Sequence, residues 1–94
     1  MNRSEIIKIN QLRDKLNSIK FVIDSLKEEY EKLKICKQQI SDSWSSYSSE
    51  IYLSKLDEKI RELNSCIDHA ENIYSKIKKH IDTQTKNVKN KNLL

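Results

Sequence analysis

Not one glycine or proline occurs in the 94 residues, and that absence narrows the fold more than any other feature of the sequence. Glycine supplies the backbone freedom behind tight hairpin turns, phosphate-cradling loops, dinucleotide fingerprints and nucleophile elbows. A chain without it has none of these devices. A sheet protein needs turn residues between its strands, so this chain is expected to be all-α. Its 34% charged and 36% apolar residues, with heavy use of Lys, Glu, Ile and Leu, suit long helices.

The apolar residues keep a helical rhythm. Ile9, Leu12, Leu16, Ile19, Ile23, Leu26, Tyr30, Leu33, Lys37 and Ile40 follow one another in alternating steps of three and four. That is a heptad seam with Ile9 at a and Leu12 at d, interrupted only by Lys37. The run Ser41-Asp42-Ser43-Trp44-Ser45-Ser46-Tyr47-Ser48-Ser49 has no periodicity. Its side chains compete for backbone hydrogen bonds, which marks a turn and a helix N-cap. The rhythm resumes at Leu53, Leu56, Ile60, Leu63, Ile67, Ala70, Tyr74, Ile77 and Ile81, and reaches Val88 after Gln84. The spacing predicts helices over about 5–41 and 44–85 with the turn near residue 43. Residues 86–94 are expected to form a polar, basic tail that frays.

An antiparallel hairpin sets a positions of one helix against d positions of the other, and the numbers of paired residues then add to a constant. Leu12 with Tyr74, Ile19 with Ile67, Leu26 with Ile60 and Leu33 with Leu53 all add to 86. The same register places Arg13 opposite Glu71, Lys27 opposite Asp57 and Lys34 opposite Glu50 on the e edge, each pair opposite in sign. Exposed pairs of this kind contribute about 0–1 kcal/mol each, so their expected role is to set register. The g edge differs: it aligns Val22 with Cys66, Cys36 with Tyr52, Lys15 with Ile73 and Glu29 with Lys59. Ile7, Phe21 and Ile35 stand at outward f positions. One edge is charged and closed; the other is partly apolar. A two-helix hairpin has a single seam, so a helical protein partner is expected to cover the g edge and complete a four-helix bundle. Val22, Cys36, Trp44, Tyr52, Cys66 and Ile73 are the expected interface.

Charge and chemistry restrict the function further. The net charge is +4, but the six lysines from Lys76 onward face only Asp82, so the basic character belongs to the tail. That tail has no interleaved aromatics, which makes nucleic-acid or lipid binding the weaker reading. No stretch has the roughly 18 apolar residues of a membrane span, nor is there the apolar run of a signal peptide. Export, if it occurs, is expected to take a signal-peptide-independent route from the cytoplasm. His69, His80 and Glu62 form no closed ligand set, so neither metal, cofactor nor catalytic residue is expected. Cys36 and Cys66 are expected to be small buried interface residues. In the register above they stand roughly 20 Å apart along the axis, too far for a bridge within the chain.

Trp44 is the residue that the hairpin does not require. A lone Trp in the turn between two heptad helices, in the stretch Ser43-Trp44-Ser45-Ser46-Tyr47, resembles the WXG family of small helical hairpins. The family's glycine falls at Ser46 here. Members of that family leave the cell through type VII (ESX-like) secretion systems, as dimers or with larger toxins, including LXG toxins. The family's export signal is a tyrosine with an acidic residue four positions later, whereas Tyr74 is followed by Lys78. The resemblance therefore implies an accessory hairpin whose partner carries the signal. It implies a non-enzymatic partner or targeting factor that binds the helical N-terminal region of a type VII effector. The alternative is a generic coiled-coil scaffold or homodimer.

Overall fold

The computed structural model describes residues 3–44 and 47–93, the last four of them in backbone only. It consists of two helices, α1 (Arg3–Ser43) and α2 (Tyr47–Leu93), and the described residues contain no strand. Both elements form where the seam rhythm runs and neither is interrupted, because no residue in them breaks a helix. Helix α1 stops among Ser41, Asp42 and Ser43. Its last backbone bond runs from the Trp44 N–H to the Ile40 carbonyl at 2.9 Å. Gln38 Nε2 donates to Asp42 Oδ1 at 2.9 Å, one turn apart. Each helix has an acidic residue in its first turn, Glu5 and Glu50, where the exposed N–H groups favour negative charge. Ser45 and Ser46, part of the expected turn, lie outside the described residues.

The helix bounds differ from the expected ones. Helix α1 runs from Arg3 to Ser43 rather than 5–41. Helix α2 begins at Tyr47 rather than 44, and does not end at 85 but continues through the basic tail to Leu93. Nothing in that tail stops a helix, and Val88 prolongs the seam. It lines a groove with Ile6 and Ile9, and Thr85 lies beside it. Packing extends a helix that polar composition alone would let fray.

Burial follows the heptads closely. Ile9, Ile23, Ile67 and Ile81 are buried. Every other seam position from Ile9 to Ile40 and from Leu53 to Val88 is half-buried, including Lys37 and Gln84. The seam reaches one step before Leu53, to Ser49, which is 2% exposed. The large exposed apolar side chains, among them Ile7, Phe21, Val22, Ile35 and Ile73, all lie off the seam.

The hairpin divides into two compact units, Met1–Val22 with Ala70–Leu94 and Ile23–His69. In the first, Ile9 and Leu12 lie with His80 and Gln84, and Ile19 and Val22 lie with Ala70 and Ile73. Arg13 Nη2 donates to Thr85 Oγ1 at 3.5 Å. In the second, Lys37 forms an ion pair with Asp57, and Leu33 shares a groove with Lys59, Leu63 and Cys66. In each unit α1 ascends as α2 descends, so the helices are antiparallel.

The register is not the expected one. Lys37 with Asp57 adds to 94 and Arg13 with Thr85 to 98, which places the register about one heptad above 86. Each cross-helix charge pair is corrected accordingly. Arg13 meets Thr85, and Glu71 is fourteen residues, roughly 21 Å, further back along α2. Asp57 pairs with Lys37, and Lys27 lies ten residues, about 15 Å, from that site. Lys34 engages its own helix, 3.9 Å from Glu31 and 5.2 Å above the Tyr30 ring, rather than Glu50. The reason is the position of the turn. Helix α1 ends at Ser43 and α2 begins at Tyr47, so the turn centres near 45 rather than 43. Moving a hairpin's turn by two residues moves every partner by about four, more than half the way to the next match of the seam. The seam repeats every seven residues, so it accepts the shift without exposing an apolar side chain.

The Lys37–Asp57 pair gives a direct test. Both side chains are about two-fifths exposed (42% and 40%), so solvent screens them. Asp57→Asn is expected to cost less than about 1 kcal/mol in urea denaturation. Most of that difference should vanish in 1 M salt, where the screening length is about 3 Å. A larger, salt-independent loss would mean that the pair is far better desolvated than its exposure indicates.

Candidate partner-binding edge

The g edge of the unit Met1–Val22 with Ala70–Leu94 carries an apolar groove. Ser18, Ile19, Val22, Ala70 and Ile73 line it. Its origin is a size step in the seam. Ala70 occupies a position filled elsewhere by Ile, Leu or Tyr, so the floor over Ile19 is low and Val22 and Ile73 stand as walls. Both walls are about half exposed. Ser18 is the sole polar contributor, and its hydroxyl turns back to donate to the Asp14 carbonyl at 3.1 Å. The groove therefore presents almost no hydrogen-bonding groups, and what it can do chemically is bury another apolar surface.

Val22 and Ile73 were expected on this edge, but with other partners: Val22 with Cys66 and Ile73 with Lys15. The one-heptad shift brings the two together instead. The rest of the expected interface lies in the unit Ile23–His69. There Cys66 shares a groove with Leu33, Lys59, Glu62 and Leu63, and the Cys36–Tyr52 alignment gives way to the same shift. Cys36 and Cys66 are free and exposed rather than buried. The observed register reduces their axial separation to about 10 Å, still outside bridging reach.

Trp44 is 48% exposed, so it does not plug the end of the seam as a cap would. Tyr52, Tyr47 and Ile51 are also exposed in this unit. Ile51 was not singled out from the sequence. The signal was available, since it falls at an f position one turn after Tyr47 and off the seam. Each unit also has a polar cross-helix contact, the Arg13–Thr85 bond in one and the Lys37–Asp57 pair in the other. Other ion pairs among the described residues join neighbours on one helix, for example Lys32 with Glu28 and Lys59 with Glu62, both at 3.6 Å.

His80 faces Glu5, Lys8 and Gln84 across a shallow groove, and no group of three His, Cys, Asp or Glu among the described residues could hold a metal ion. No helix among the described residues is long and apolar enough to cross a membrane. The fold is an all-α helical hairpin. No family model, curated protein or solved structure matches the chain.

Proposed function

We propose that this hairpin is a non-enzymatic binding partner or targeting factor for a type VII secreted effector, docking against the effector's helical N-terminal region through the g edge. The observation that carries the reading is the Val22–Ile73 groove, an apolar trough without hydrogen-bonding demands. A partner helix laid along it would bury one face against Ile19 and Ala70 and complete a four-helix arrangement. The assignment to type VII export rests on the resemblance carried by Trp44 and its serine-rich surroundings. The indole is about half exposed. Tyr74 is half-buried in the seam, a packing role that suits a chain whose partner supplies the export signal.

The test is co-expression with the products of neighbouring genes, followed by size exclusion and mass measurement. The expected result is a stable complex with a larger protein whose N-terminus is helical. The effector should also be missing from culture supernatant when the hairpin is deleted. A mass of two hairpins, unchanged by any candidate partner, would instead establish the homodimeric scaffold.

A further inference from the structure

We propose that the hairpin has a second register, one heptad from the observed one, and that the Lys37–Asp57 ion pair biases the choice between them. Over the layers from Ile9 to Leu33 the apolar seam does not discriminate. Sliding α2 back by seven residues sets Ile19 against Ile67, Leu26 against Ile60 and Leu33 against Leu53. Every seam layer from Ile9 to Leu33 remains apolar on apolar. The slide also sets Lys34 opposite Glu50, whereas it now engages a neighbour on its own helix.

Two features favour the observed state. Lys37, the single charge among the α1 seam positions, reaches Asp57 only there; after the slide it falls opposite Ser49. The observed register also retains Ile40 and Val88 in the seam, half-buried. Ser48 and Ser49, in the first turn of α2, are residue types that can cap a helix, so α2 can begin at more than one position. A seven-residue slide restores the same a-to-d layers, so the two registers are discrete alternatives. It would also part Val22 from Ile73 and dismantle the groove between them. The proposal stands whether or not that groove takes an effector.

The native cysteines supply the test, read by the rate at which dibromobimane bridges two thiols within one chain. With Cys66→Ser, the pair Cys36 and Lys59→Cys reports the observed register, and Cys36 and Tyr52→Cys reports the slid one. Positions 52 and 59 are both exposed, so the fold should tolerate the changes. The wild-type pair Cys36–Cys66 is the unbridged control. The Lys59→Cys pair should close fastest, and the Tyr52→Cys pair at least tenfold faster than the control. Adding Lys37→Glu sets a carboxylate beside Asp57 and should shift the ratio of the two rates at least tenfold toward Tyr52→Cys. Helicity by circular dichroism verifies that each variant is folded. Closure of Tyr52→Cys no faster than the control, at unchanged helicity, overturns the second register. Failure of Lys59→Cys to close overturns the first. Indifference of the ratio to Lys37→Glu overturns the role of the ion pair.

Discussion

Replacing Ile67 by alanine is expected to lower the stability of the isolated hairpin by about 2–4 kcal/mol. Ile67 is 5% exposed and is one of four buried apolar side chains among the described residues. Its truncation leaves a gap that two helices on one seam cannot close by local collapse. A domain of this size has stability near the low end of the usual 5–15 kcal/mol, so one such change removes much of the total. The melting temperature should fall by roughly 10–20 °C, since 1 kcal/mol corresponds to about 4–8 °C in a small domain. Ser65→Ala is the control on the exposed face of α2, expected within about 0.5 kcal/mol. Urea titration followed by circular dichroism compares the two. A loss at Ile67 no greater than that at Ser65 would show that the seam is not the core.

The second large effect concerns association rather than folding. Val22→Glu and Ile73→Glu each place a carboxylate on a wall of the apolar groove. In the free hairpin both sites face water, and the expected cost is under about 1 kcal/mol. In the proposed complex the charge would lose its hydration without gaining a partner. A penalty of several kcal/mol lowers affinity about a hundredfold or more. Asp57→Asn, at the cross-helix ion pair, should leave association nearly intact. Helicity and complex mass by light scattering separate the two kinds of effect. If Asp57→Asn breaks the complex while both glutamate variants bind normally, the partner occupies the other edge.

The sequence by itself determined the all-α class, two helices joined by a serine-rich break, and which residues enter the seam. The steps of three and four from Ile9 to Ile40 and from Leu53 to Val88 coincide with the buried and half-buried positions, because 3.6 residues per turn leave a helix little choice of buried stripe. It also determined that Val22 and Ile73 stand on the g edge. Register was decided only by the tertiary structure. A heptad pattern superimposes on itself after seven residues, so matching seams cannot tell Ile19 against Ile67 from Ile19 beside Ala70 and Ile73. The charge matches of Arg13, Lys27 and Lys34 with Glu71, Asp57 and Glu50 could not decide it, because exposed pairs contribute only about 0–1 kcal/mol each. The observed register goes with α1 ending at Ser43 and α2 beginning at Tyr47, bounds that the serine run did not fix. The groove between Val22 and Ile73 exists because of that register. It needs Ala70 beside Ile19, a juxtaposition that depends on the turn.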